Sequence, residues 1–310
     1  MPRSRPYCDP ETLARIAGLS LRARRMVEGS LSGLHRSPYH GFSVEFAEYR
    51  EYSPGDDLRR LDWRVWGRTD RHYIKEYEEE SNLRATIVMD ASASMRYASG
   101  SYSKYDYGGT LAVSLATVLI QQQDAVGLVL FDSRERQQLS PSATQAQLAQ
   151  ITHYVEASEP ERDTDLGSVL QQLAERIRRR SLVIVISDLL TELDSFYEGL
   201  ARMQYCGHDA IVFHVLDRDE LELPFGDLVL FHDIEGTEEV FAEPWAFRKA
   251  YRTAMQEFVG GVRDACGRKG IDYVPLVTDQ SLGDALSHYL HSRARSQHVR
   301  AEGVKHHHGR

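Results

Sequence analysis

An α/β fold is predicted for this sequence: a doubly wound, mostly parallel sheet with an N-terminal β-containing appendage. Three observations carry that prediction. From residue 83 onward, short apolar runs alternate with stretches of helical periodicity. Two of the runs, Ala85–Met89 with Thr86 as its single polar residue and Leu182–Ile186, are apolar, as parallel strands buried on both faces are. Both give way to an acid, Asp90 directly and Asp188 after Ser187. A polar group just past a strand's carboxyl end sits where open α/β sheets bind ligands.

The elements follow in order. Asp9 reads as the N-cap of a helix running to about Glu28, with Leu13, Ile16, Ala17 and Leu21 at helical spacing. Residues 30–42, rich in Gly, Ser, Pro and His, read as a loop. Residues 43–52 alternate in strand fashion, Pro54-Gly55 makes a turn, and a short helix is expected to end near Gly67. Residues 74–80 are strand-like and acidic. The larger domain is expected over 83–295: strand 83–90, helix 105–122, strand 125–131, a charged hairpin-like piece at 132–140, helices at 142–156 and 165–179, and strand 182–186. A helix at 194–205, a strand at 210–216, an irregular acidic segment at 217–243, a long helix at 244–268, strand 271–277 and a final helix at 280–293 complete it. Residues 1–82 form the appendage, and the tail 296–310, with His306, His307 and His308, is expected to be disordered.

Composition narrows the function. At 310 residues the chain can bury a substantial core, and 27% charged with 42% hydrophobic residues is ordinary for a soluble globular protein. A net charge of −9 argues against nucleic acid as a partner. Cys8, Cys206 and Cys266 are far apart and form no Cys-x-x-Cys pair, which suits a reducing cytoplasm. No apolar run reaches the length of a membrane span.

The chemistry gathers at Asp90-Ala91-Ser92-Ala93-Ser94. One carboxylate and two hydroxyls converge there, all oxygen donors of low total charge. Such a set suits a hard cation such as Mg²⁺, with Mn²⁺ or Ca²⁺ also possible. If strands 83–90 and 182–186 are neighbours, Asp188 lies beside Asp90. Thr164 adds a hydroxyl on a loop ahead of a helix, and its flanking Asp163 and Asp165 are expected to cap that helix. Taken alone, Asp-x-Ser-x-Ser is also compatible with an ordinary strand-to-helix cap.

Asp90-x-Ser92-x-Ser94, Thr164 and Asp188, in this order, resemble the metal-ion-dependent adhesion site of the von Willebrand factor A-type, Rossmann-like fold. The resemblance implies that Ser92, Ser94 and Thr164 bind the metal directly, with Asp90 and Asp188 as supporting acids. It also implies an open coordination position that an acidic residue of a client protein fills.

Upstream, Arg50, Tyr52, Gly55, Asp56, Arg59, Leu61-Asp62-Trp63 and Arg68 resemble the motif of the bacterial family known as domain of unknown function 58. The family motif block spans 43–80, and its one departure is Gly67, where a small residue such as Ala is expected. Asp56 and Asp62 interleave with Arg50, Arg59 and Arg68, a pattern able to form a charge-assisted hydrogen-bond network. Such a network either fixes the appendage or offers a docking surface built from Arg50, Tyr52, Asp56, Arg59, Asp62, Trp63 and Arg68. The family resemblance implies a MoxR-type AAA+ ATPase as partner in chaperone-like maturation of protein complexes.

The chain itself has no Gly-x-x-x-x-Gly-Lys loop, no Gly-x-Ser-x-Gly elbow and no His-Glu-x-x-His. His288 and His291 are expected to face solvent. The sequence therefore predicts metal-dependent protein binding without catalysis. The rival is a metal-dependent phosphoester hydrolase using Asp90, Asp188 and a metal-bound water.

Overall fold

The computed structural model describes residues 44–51, 73–79, 83–226, 228–232, 239–286 and 289. The chain divides into two compact units: Glu28–Asn82, and a larger one holding everything from Leu83 onward. In the smaller unit, β1 (Val44–Glu51) pairs antiparallel with β2 (Tyr73–Glu79), with an irregularity between Phe46 and Glu48. These are the two strands expected there. The helix expected from Asp9, the short helix after Pro54-Gly55 and the tail 296–310 lie outside the described residues.

The larger unit begins with β3 (Arg84–Asp90), a single 3₁₀ turn (Ala93–Arg96), α1 (Lys104–Gln121), β4 (Ala125–Phe131) and β5 (Glu135–Ser142). Next come α2 (Gln145–Ala157), α3 (Leu166–Arg176), β6 (Leu182–Ser187), α4 (Leu193–Tyr205), β7 (Asp209–Leu216) and α5 (Arg218–Glu222). A hairpin of β8 (Val229–His232) and β9 (Glu239–Ala242), then α6 (Pro244–Arg268) and β10 (Asp272–Val277), follow. Residues 282–286 are helical, at the place expected for a last helix.

Six strands form one sheet in the order β10-β7-β6-β3-β4-β5. The first five are mutually parallel, and β5 runs antiparallel to β4. From β3 the chain winds outward to β4 and β5, then returns to the other side of β3 for β6, β7 and β10. The order therefore reverses between β3 and β6, the place beyond whose strands' carboxyl ends open α/β sheets bind ligands.

Alternation along the strands divides the core in two. Ile87, Met89, Leu128, Leu130, Ile184 and Ile186 pack with Leu111 of α1 and Ile151 of α2. Val88, Val129, Val183 and Val185 point the other way, toward Leu170 of α3, Phe196 of α4 and Val262 of α6. Period-two side-chain alternation in strands whose both faces are covered favours apolar residues at nearly every position, which is the pattern read from the sequence.

Helices α3 and α4 cross at glycines. A Cβ on Gly167 would lie 2.5 Å from the main-chain carbon of Ser195. One on Gly199 would lie 2.9 Å from the Gly167 carbonyl oxygen. The two backbones approach closely because neither position carries a side chain.

The observed elements depart from expectation in two places. Helix α3 stops at Arg176, short of residue 179, because Ile177 turns to extended backbone at φ −73°, ψ 106°. Residues 217–243, expected to be irregular, contain α5 and the β8–β9 hairpin, with Leu230 opposite Phe241 and Phe231 opposite Val240. Among the described residues, no helix is long and apolar enough to cross a membrane.

Candidate metal centre

The reversal point between β3 and β6 brings four predicted donors together. Asp90 ends β3 and is fully buried. Its Oδ1 accepts the Ser92 N–H at 2.9 Å, an Asx-type turn that takes the chain from strand into the 3₁₀ turn. That turn sets the Ser92 and Ser94 hydroxyls 3.1 Å apart, both buried. Thr164 comes from the loop before α3, and its Oγ1 donates to Asp90 Oδ2 at 3.4 Å.

Backbone bonds fix that loop. Ala93 N–H donates to the Arg162 carbonyl at 2.8 Å, and Glu161 N–H donates to the Ala91 carbonyl at 2.9 Å. Arg162 adopts a left-handed φ of 63°, which turns the loop back over the strand end. Asp165 caps α3 by accepting the Ser168 N–H at 3.1 Å, the role expected of it, while Asp163 is exposed.

Asp188, the fifth predicted residue, follows β6 and is buried. Its Oδ1 accepts the Leu190 N–H at 3.2 Å across a turn in which Leu189 has φ 56°. Its Oδ2 faces elsewhere, to Lys104 Nζ at 2.7 Å. Asp188 thus flanks Asp90, as expected from neighbouring strands, but it is held by an ammonium of its own.

Five residues that the sequence did not assign to the site complete it: Ser187, Lys104, Glu220, His214 and Tyr273. Ser187 donates to Asp90 Oδ2 at 2.6 Å and accepts the Leu189 N–H at 3.0 Å. Lys104, at the start of α1, is fully buried and also donates to Glu220 Oε1 of α5 at 2.5 Å. His214 of β7 lies 2.8 Å from the Asp188 carbonyl through Nε2 and 2.6 Å from the Tyr273 hydroxyl through Nδ1. Because a carbonyl only accepts, Nε2 carries the proton and Nδ1 accepts from Tyr273.

The electrostatics follow from this burial. Burial, reinforced by the Asp188 carboxylate, pushes the Asp90 carboxyl up to about 7, against the pull of hydrogen bonds from Ser187 and Ser92. Burial would push Lys104 down, but the carboxylates of Asp188 and Glu220 outweigh it and hold the ammonium above the ordinary lysine range. Burial raises Glu220, with Lys104 offsetting part of the rise. Burial takes His214 down to about 4, so at neutral pH it is an uncharged imidazole. With both ring nitrogens engaged, His214 is not placed to act as a general base.

The residues present fit a hard divalent cation. Asp90 is a buried carboxylate that, among the described residues, pairs with no Lys, Arg or His. Its neighbours are hydroxyls. A buried carboxylate in that position is short of positive charge, and a cation bound by oxygen donors supplies it. No group of three or more His, Cys, Asp or Glu is gathered for metal binding among the described residues. A cation here would rest chiefly on the hydroxyls of Ser92, Ser94 and Thr164, with Asp90 beside them.

Of the upstream block, Arg50 lies on β1 opposite Ile74. Tyr52, Asp56, Arg59, Asp62, Trp63 and Arg68 lie outside the described residues, as do His288 and His291.

The family model described as "Protein of unknown function DUF58" matches residues 48–258. The chain belongs to the DUF58 family. The motif residues Arg50–Arg68 and the donors from Asp90 to Asp188 thus both fall within the matched stretch. Among curated proteins, this DUF58 chain is 26% identical over 292 residues to the uncharacterized protein Rv1480 of Mycobacterium tuberculosis, covering 93% of this chain and 91% of that one. The uncharacterized protein Mb1516 of Mycobacterium bovis matches equally. Among solved structures, the conserved hypothetical protein BatB from Bacteroides thetaiotaomicron is 18% identical, with a TM-score of 0.47, over 69% of this chain and 99% of its own. The SpRpn10 VWA domain is 14% identical, with a TM-score of 0.38, over 66% of this chain and 93% of its own. The DUF58 chain has the doubly wound, mostly parallel six-stranded sheet expected from its sequence.

Proposed function

We propose that this DUF58 protein is a divalent-cation-dependent protein-binding module, acting as an adaptor for a MoxR-type AAA+ ATPase in the maturation of protein complexes. One observation carries the metal half of this reading: among the described residues, the buried Asp90 carboxylate has hydroxyl partners and no basic one. Mg²⁺ is the favoured ion, held by Ser92, Ser94 and Thr164, with Asp90 and Asp188 in support. When bound, it supplies an electrophilic position for the carboxylate of a client. Few protein carboxylates at the ion leave it in need of such a ligand.

The ATPase half rests on the resemblance of the Arg50–Arg68 block and on the lack of a phosphate loop in this chain. Nucleotide hydrolysis is then the partner's contribution. Free Cys206 and Cys266 suit a reducing compartment, and the cytoplasm is the proposed setting.

Affinity capture from native extract tests the reading. Wild type with Mg²⁺ is compared with wild type plus chelator and with Ser92→Ala/Ser94→Ala. The expected result is an AAA+ ATPase or client retained by the metal-loaded wild type alone. Equal retention under all three conditions overturns the metal dependence. Turnover of a phosphoester panel that disappears in Asp90→Ala overturns the non-catalytic assignment.

A further inference from the structure

Lys104 is a lysine with no solvent exposure, a rare state for this side chain. It is held there deliberately. Ser103 caps α1 by accepting the Asp106 N–H at 3.0 Å, and Asp106 returns the bond by accepting the Ser103 N–H at 3.2 Å. This capping box fixes the first turn of α1, and Lys104 is its first residue. From that point Nζ reaches Asp188 at 2.7 Å and Glu220 at 2.5 Å.

The consequence is a division of labour between two adjacent carboxylates. Among the described residues, Asp188 is tied to an internal cation, whereas Asp90 is not. Resting on the metal reading above, we propose that Lys104 is a specificity-determining residue: its ammonium occupies Asp188 and keeps that carboxylate from binding the cation directly. With Asp188 withheld, the ion is bound more weakly by the protein and more strongly by an incoming acidic ligand. The charges agree with this. Lys104 offsets charge on Asp188 and on the part-exposed Glu220, and a divalent cation would offset that of Asp90 once it is ionised. Without Lys104 the same group would stay negative and would hold the ion as its counter-charge, reducing its demand for an outside carboxylate.

Mg²⁺ binding to the full chain by isothermal titration calorimetry tests this. Wild type is compared with Lys104→Met, with Lys104→Met/Glu220→Gln, and with each of these combined with Asp188→Asn. The second variant removes one charge of each sign, so it frees Asp188 without stranding Glu220. Circular dichroism and thermal unfolding establish that each variant is folded. About tenfold tighter Mg²⁺ binding is expected in the double variant, and in Lys104→Met where it folds, with the gain lost when Asp188 becomes Asn. Acetate, as a probe of the open position, should bind the Mg²⁺-loaded double variant more weakly than loaded wild type. Unchanged or weaker Mg²⁺ binding in the folded double variant overturns the role of Lys104 alone. Absence of Mg²⁺ binding in wild type, equal to Ser92→Ala/Ser94→Ala, overturns the metal reading and this inference together.

Discussion

Ser187 donates its hydroxyl to Asp90 Oδ2 at 2.6 Å, and both residues are sealed from solvent. The bond crosses from β6 to β3 at the point where the strand order reverses. It joins the two halves of the doubly wound sheet through the carboxylate that the candidate centre needs. The same hydroxyl accepts the Leu189 N–H at 3.0 Å and so shapes the turn that delivers Asp188.

Ser187→Ala removes both bonds and leaves a buried carboxylate with one donor fewer. Hydrogen bonds to charged groups contribute about 1.5–3 kcal/mol, and a loss of that size is expected in urea denaturation at pH 8. The loss should shrink when Mg²⁺ is present, because the cation then supplies charge to Asp90. A cost below about 0.5 kcal/mol, or one indifferent to Mg²⁺, contradicts this account of the bond.

Binding of an ion to the folded state alone stabilises it in proportion to RT ln(1 + [L]/Kd). Mg²⁺ at one hundred times its dissociation constant should therefore add about 2.7 kcal/mol to the unfolding free energy of wild type. Ser92→Ala/Ser94→Ala should unfold at the same temperature with and without Mg²⁺. Differential scanning calorimetry in Mg²⁺ and in chelator reads both. A stabilisation that survives the double substitution would place the ion elsewhere.

Gly167 and Gly199 make a packing prediction independent of any ligand. A methyl at 167 would sit 2.5 Å from a main-chain carbon of Ser195, which no side-chain rotation relieves. Gly167→Ala should cost about 1–3 kcal/mol as the helices move apart, despite the helix propensity that alanine gains. Gly260, in the middle of α6, meets nothing within 4 Å. Gly260→Ala should therefore be neutral or slightly stabilising. Parallel thermal unfolding of the two variants decides whether backbone proximity is the cause.

How much of this was legible in the sequence differs from residue to residue. Asp90 and Asp188 stood out because a mainly apolar run gave way to each, and parallel strands buried on both faces favour that pattern. The edge strand β5 was legible as a charged hairpin-like piece because one of its sides stays wet. Lys104 was not legible. In Ser101-Tyr102-Ser103-Lys104-Tyr105 a lysine reads as a solvated helix start, and only closure of the sheet reversal over it brings Asp188 and Glu220 into reach. His214 was hidden for a related reason: one histidine within an apolar strand signals nothing until its neighbours β6 and β10 are known. The β8–β9 hairpin was missed because its strands have four residues each and sit among acids and turn formers, too short for a period to emerge. The expected end of α3 at residue 179 overran because the arginines at 178–180, good helix formers, serve in the structure as a connection.

His208 predicts a pH dependence away from the candidate centre. It precedes β7 and is buried, and neither ring nitrogen makes a hydrogen bond of standard geometry. Burial lowers its pKa below the ordinary 6.5, and the nearby carbonyls of Ala174 and Ile177 offset only part of that. The folded state therefore holds His208 neutral while the unfolded chain takes up a proton as the pH falls through 6.5. The unfolded state binds more protons in that window, so stability falls with falling pH and is regained on the alkaline side. One proton contributes a slope of at most about 1.4 kcal/mol per pH unit. His208→Leu should flatten this part of the curve between pH 6.5 and the lowered folded value, leaving the remaining dependence to other groups. Urea denaturation of both proteins from pH 8 to pH 5 reads the difference. An identical slope in the two would mean that His208 is protonated in the folded protein, and that its two buried nitrogens have partners after all.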